Sequence, residues 1–129
     1  MVIDTSAVLA ILLQEPEAES LAAAREHDPR RLMSAVTLLD CATVMEARKG
    51  PAGGRELNLL LHRARIEGVS FNSEQAEIAR EAWLRFGKGR HPAALNLGDC
   101  CSYALSRSSG EPLLFKGSDF ARTDVTAAL

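Results

Sequence analysis

Two lengths of apolar pattern alternate along the chain. Short apolar stretches occur at Met1 to Asp4, Arg31 to Ala35, Gly68 to Phe71 and Pro112 to Phe115. Each has the length of a buried strand and is bounded by turn residues or the start of a helix. Between them lie longer segments with helical spacing, which predict helices over Thr5 to Leu13, Pro16 to about Glu26, Val36 to Lys49, Arg55 to Glu67, Asn72 or Ser73 to Phe86, and Leu97 to Ser106. Pro16 suits a first helical turn, and Glu15, Glu17 and Glu19 suit the positive end of the same helix. Gly50-Pro51 stops one helix and Gly110 another. Ala79, Trp83 and Phe86 recur at i, i+4 and i+7, the spacing of a core stripe. The tail from Thr123 to Ala128 is a candidate edge strand. Short strands alternating with helices predict an α/β domain with a mainly parallel sheet of four to five strands flanked by helices.

Length and composition narrow the class without naming a chemistry. The 129 residues, 47% hydrophobic and 25% charged, fit one ordinary globular domain spanning 1–129 and exclude disordered, collagen-like and coiled-coil chains. The longest apolar run, Ala7 to Leu13, is too short to cross a bilayer. No basic stretch precedes it, so the expectation is a cytoplasmic protein that does not engage membranes. Three cysteines, two of them adjacent at Cys100 and Cys101 and none in a C-x-x-C spacing, read as reduced packing thiols. A net charge of -2 means that any binding of nucleic acid must rest on a local basic patch.

The placement of certain carboxylates carries the chemistry. Asp4 is the only charged side chain from Met1 to Gln14, Asp40 the only one from Ser34 to Met45, and Asp99 the only one from Pro92 to Ser106. A lone carboxylate in an apolar segment is costly unless a counter-charge compensates it, and no lysine or arginine lies within helical reach of Asp4 or Asp99. The economical solution is that the carboxylates meet around a cation. Asp4 ends the first predicted strand and Asp119 follows the fourth, and open parallel sheets bind ligands beyond the carboxyl ends of their strands. An all-oxygen site selects Mg²⁺ or Mn²⁺ over zinc and supports phosphoryl chemistry.

Each residue also has an ordinary role. Asp4 suits a helix N-cap, Asp99 a first-turn acid, Asp40 a solvent-facing helix position and Asp119 a turn. Thr5 and Ser6 suit a helix start with a second role toward metal-bound water or phosphate, and Asn96 a cap whose amide could order a water. Arg30, Arg31, Lys88, Arg90, His91, Lys116 and Arg122 are the candidates for a phosphate-contacting patch. Six aromatic residues are too few for extensive stacking on single-stranded bases. Two rival phosphoryl enzymes fail on single positions. A haloacid-dehalogenase-type phosphatase needs an acid where Ser6 stands, and a phosphoacceptor receiver domain needs an aspartate ending the strand at Gly68 to Phe71.

Four segments, Val2-Ile3-Asp4-Thr5-Ser6-Ala7, the Ser34-Ala35 turn into the helix carrying position 40, Asn96-Leu97-Gly98-Asp99-Cys100, and Leu113-Leu114-Phe115-Lys116-Gly117-Ser118-Asp119-Phe120, occur in the order and spacing of the PIN-domain ribonucleases. Over essentially the whole chain the sequence resembles the VapC toxins of bacterial toxin-antitoxin pairs within that family. The resemblance implies a three-layer PIN-like sandwich and a Mg²⁺- or Mn²⁺-dependent endoribonuclease. It also implies an acidic cluster of Asp4, Asp40, Asp99 and Asp119, with metal held by Asp4, Asp99 and Asp119. The partners it implies are RNA, a VapB-like antitoxin and a second copy of the chain. The family usually has glutamate where this chain has Asp40, and often a second acid where it has Ser118. For Asp119, Asp124 is the nearest substitute. The alternative is a catalytically degenerate domain of the same fold that only binds a partner protein.

Overall fold

The computed structural model describes residues 1–129 and is built on four short parallel strands. These are β1 (Val2–Ile3), β2 (Leu32–Ser34), β3 (Glu67–Val69) and β4 (Leu113–Leu114). They lie in the order β3-β2-β1-β4. Val2 pairs with Leu32 on one side and with Leu113 on the other, and Met33 pairs with Gly68. The chain therefore leaves β1 in one direction toward β2 and reaches β4 in the other, which puts the topological switch point between β1 and β4. Six helices surround the sheet: α1 (Thr5–Leu12), α2 (Ala18–Glu26), α3 (Ala35–Lys49), α4 (Pro51–Arg63), α5 (Ser73–Phe86) and α6 (Leu97–Ser109).

Strand side chains alternate between two cores, as the period of two demands. Val2, Leu32 and Leu113 face Ala79, Ala82 and Phe86 of α5 and Cys100, Tyr103 and Ala104 of α6. Ile3, Met33 and Leu114 face Ala7 and Val8 of α1, Leu21 of α2, Cys41 and Met45 of α3, and Leu57 of α4. The result is the expected three-layer sandwich. Every strand is buried on both faces except β3, at one edge of the sheet, where Glu67 and Gly68 are exposed. All three cysteines are free and buried, as packing thiols should be.

Several elements differ from the sequence reading, each for a local reason. Helix α4 starts at Pro51 rather than Arg55. Gly53 and Gly54 are helical contact points: a Cβ on Gly53 would lie 2.2 Å from the Met45 carbonyl oxygen, so glycine is what lets α4 pack against α3. Gly50, at φ +62°, makes the turn between them. Helix α2 begins at Ala18, two residues after Pro16. The stripe of α5 is Gln75, Ala79, Ala82 and Phe86; Trp83 is not core but 43% exposed. At 3.6 residues per turn position 83 points about 70° from the centre of that stripe, at its margin. The tail contributes only an isolated bridge from Ala127 to Leu113 instead of an edge strand.

Candidate active site

The carboxyl ends of β1, β2 and β4 and the first turns of α1, α3 and α6 meet on one edge of the sheet. Asp4 stands one residue past β1, its backbone N–H donating to the Leu114 carbonyl at 3.0 Å, and this bond fixes its place beside β4. Its carboxylate is buried, 3% exposed. Oδ2 accepts the Ser6 N–H at 3.0 Å, the N-cap of α1, and Oδ1 accepts the Ser102 hydroxyl of α6 at 2.6 Å. Cap and site residue are thus the same side chain, and each oxygen keeps a further lone pair.

Asp99 is the third residue of α6 and forms a capping box with Asn96. The Asn96 side chain accepts the Asp99 N–H at 2.9 Å, and Asp99 Oδ2 accepts the Asn96 N–H at 3.0 Å. Burial pushes the Asp99 carboxyl up to about 6, the bond from Asn96 works against that rise, and the negative charges of Asp4, Asp119 and Asp40 add to it. Four carboxylates separated by as many as 115 positions in sequence thus share one field.

A cleft of about 220 Å³ lies between three of them, lined by Asp4, Thr5, Ser6, Leu9, Asp40, Asn96, Gly98 and Asp99. Asp40 reaches it from α3, exposed, with Oδ2 3.4 Å from where a Cβ on Gly98 would sit. Thr5 ties the starts of α1 and α3 together by donating to the Thr37 carbonyl at 3.2 Å. Asp119, exposed just before a short 3₁₀ turn at Phe120–Arg122, is near enough to act on Asp99 but does not line the cleft. No three His, Cys, Asp or Glu side chains close into a ready ligand set. The carboxylates of Asp4, Asp40 and Asp99 around one cleft repel one another, and an all-oxygen donor set of this kind would suit a hard divalent cation.

The basic residues do not gather as expected. Arg31 is structural: its guanidinium donates to the carbonyls of Arg25, Asp28, Ala64 and Glu26, at the opposite edge of the sheet from the cleft. Arg30 pairs with Glu111 at that same far edge. Lys116 is beside the site, its N–H donating to Ser6 Oγ at 3.0 Å, but its ammonium is held by Glu15 and Glu17. Arg122 donates to the Pro92 carbonyl. His91 Nδ1 accepts the Ala93 N–H. Of the expected patch, Lys88, Arg90 and Arg122 make no ion pair; Arg90 Nε donates to the Leu84 carbonyl at 3.2 Å and its guanidinium lies over the Trp83 ring. Asp124 is no substitute for Asp119, being bound by the Tyr103 hydroxyl and by Arg85 and Arg107.

The sequence reading missed Ser102. It lies three residues after Asp99 on the same face of α6, and a small hydroxyl within an otherwise apolar run was the available signal.

Comparison with known proteins decides the family. The PIN domain model matches residues 1–125. This chain belongs to the PIN domain family. The domain is 56% identical over 130 residues to ribonuclease VapC30 of Mycobacterium tuberculosis, covering 100% of this chain and 99% of the relative. It is 57% identical over 127 residues to ribonuclease VapC of Mycolicibacterium smegmatis, with 98% of each chain covered. Among solved structures, the PIN domain superposes on the M. tuberculosis toxin VapC20, described as cleaving the sarcin-ricin loop, with a TM-score of 0.78 over 97% of this chain and 95% of that one. At 16% identity that likeness speaks for the fold.

Proposed function

We propose that this PIN domain is a Mg²⁺- or Mn²⁺-dependent endoribonuclease, the toxin of a VapBC-type pair acting in the cytoplasm. The observation that carries the reading is the convergence of Asp4, Asp40, Asp99 and Asp119 on the carboxyl edge of the sheet, where Asp99 feels the other three charges. Membership of a family whose relatives are named ribonucleases supports it.

Asp4, Asp99 and Asp119 would hold the metal, with Asp40 acting through a bound water and Thr5 and Asn96 at the rim. A bound ion supplies charge stabilisation at the phosphate and lowers the pKa of water. The protein's own part is positional. Ser102 and the Ser6 N–H fix the rotamer of Asp4, and the capping box fixes that of Asp99. The aspartate at 40 is shorter than the family's usual glutamate by about 1.5 Å, one carbon-carbon bond. The exposed rim of Asp40 and Asp119 leaves the cleft open to a polymeric substrate. A VapB-like antitoxin and a second copy of the chain are the protein partners this reading implies.

Incubation of the purified protein with total cellular RNA, with and without Mn²⁺, followed by mapping of cleavage ends, tests it. Defined ends that depend on Mn²⁺ and vanish in Asp4→Asn are expected. Metal binding without cleavage would favour the degenerate, partner-binding alternative, and cleavage persisting in excess EDTA would overturn the metal's role.

A further inference from the structure

On the far side of the first turns of α6 from the acidic cleft lies a second depression, about 440 Å³ in volume. It is apolar except for Arg80, and its walls include Phe71, Ala79, Trp83, Leu97 and Cys100. Leu97 and Cys100 face this groove while Gly98 and Asp99, between them in sequence, face the cleft. The two depressions are therefore separated by one helix, a width of about 10 Å.

Two features of the groove are hard to explain as packing. Trp83, the only tryptophan of the chain, is 43% exposed, and Leu97 is 77% exposed. Trp83 is nonetheless held in place. The Arg90 guanidinium lies 4.9 Å from its ring centroid, and a Cβ on Gly87 would come within 2.6 Å of the indole, so glycine there leaves room for this rotamer. The cations at the groove, Arg80 and Arg90, make no ion pair, in contrast to Arg85, Arg107 and Lys116, which all do.

We propose that this groove receives one nucleobase of a single-stranded RNA, stacked on Trp83, when the neighbouring phosphate lies at the acidic cleft. The inference rests on the ribonuclease reading and deepens it. The groove's place one helix away from the cleft, with the guanidinium groups of Arg80 and Arg90 beside it, favours RNA over an apolar protein segment. A nucleobase has the flat face an indole accepts, and its flanking phosphates meet guanidinium groups that no carboxylate neutralises. A single base needs only one such platform, which the chain's few aromatics supply.

Because Trp83 is unique, its emission reports occupancy directly. In EDTA, which keeps the RNA intact, a single-stranded RNA 10-mer should quench Trp83 saturably. With the fluorescein-labelled 10-mer, Trp83→Ala should weaken binding roughly 5- to 150-fold, and Trp83→Phe should restore most of it. Arg80→Ala should lower the slope of log affinity against log salt by roughly 0.7. If Trp83→Ala loses its helical circular dichroism, Leu97→Ala serves instead and should weaken binding several-fold. Unchanged affinity in the variants, or RNA binding without quenching, overturns the proposal. So does emission that shifts with protein concentration alone while Trp83→Ala alters self-association and not RNA affinity, since a second copy would then occupy the groove. The two readings fail separately. Trp83-dependent RNA binding with no Mn²⁺-dependent cleavage would keep the groove and remove the nuclease. Cleavage of the 10-mer by Trp83→Ala at the wild-type rate, below saturation, would do the reverse.

Discussion

Ser102 Oγ donates to Asp4 Oδ1 at 2.6 Å, a buried bond between residues 98 positions apart that joins α6 to the end of β1. Its removal in Ser102→Ala leaves a carboxylate oxygen buried with one partner fewer. Stability should fall by about 1–3 kcal/mol, the usual range for such a loss. The same change frees the Asp4 rotamer, and supporting partners of metal-binding carboxylates typically contribute 10- to 100-fold in metal affinity or activity. Mn²⁺ titration by calorimetry, beside thermal unfolding in EDTA, checks both. Wild-type Mn²⁺ affinity in a folded Ser102→Ala protein would show that Asp4 needs no such support.

Asp99 predicts a pH dependence in the metal-free protein. Its folded carboxyl titrates at about 6, above the ordinary aspartate value of 3.8, so the folded state binds the proton more tightly than the unfolded one. Stability contributed by that protonation is present at and below about pH 4 and is lost as pH rises through about 6. Asp99→Asn, which keeps a neutral side chain of the same shape, should remove this dependence. Above pH 6 it should be more stable than wild type in EDTA, by on the order of 2 kcal/mol. It should also cleave no RNA. Denaturant midpoints from pH 4 to 8 decide the first point; parallel curves for the two proteins would contradict it.

Position 40 should matter less than position 4. Asp40 is exposed on the rim of the cleft, whereas Asp4 is buried and twice bonded. Asp40→Asn should therefore reduce cleavage by about 10- to 100-fold without abolishing it, and Asp40→Glu should be active and bind Mn²⁺ at least as tightly as wild type. Single-turnover rates and Mn²⁺ titrations of the three variants make the comparison. Wild-type behaviour of Asp40→Asn in both would place residue 40 outside the site.

Gly53→Ala tests the packing rather than the chemistry. The added methyl would meet the Met45 backbone carbonyl at 2.2 Å, and backbone cannot swing aside as a side chain would. Helix propensity alone would favour alanine by up to about 1 kcal/mol. Destabilisation by about 1–3 kcal/mol is expected in spite of it, the usual effect of overpacking. A raised melting temperature would mean that α3 and α4 separate easily.

Much of this arrangement is legible in the chain because local chemistry and tertiary need coincide. Asn72 before Ser73 and Asn96 before Leu97 mark helix starts with side chains that do the capping observed, and Gly110 after Ser109 marks a helix end with a left-handed backbone. The lone carboxylates at 4, 40 and 99 stand out because each breaks an apolar run. What escaped was set by neighbours distant in sequence. Gly53 and Gly54 fall before the helix start that the sequence indicates at Arg55, and only α3 lying against them shows why they are helical. Arg31 reads as a free cation until four carbonyls surround it. Trp83 matches the helical period yet falls at its margin, where only the position of α6 decides exposure. Lys116 looked available to phosphate, but Glu15 and Glu17 fold back onto it from the turn before α2.

The sheet order bears on when the acidic cluster assembles during synthesis. β1 is the earliest strand to be made and sits at the centre, but its β4 neighbour is not synthesised until residues 113 and 114. Asp4 takes its final place only when the Leu114 carbonyl and the Ser102 hydroxyl exist to receive it. Pairings of such long sequence separation form late, since the loop they close must be ordered first. A nascent chain stopped anywhere before β4 therefore carries its acids unassembled, and under the proposed ribonuclease function interrupted synthesis would release only inactive fragments.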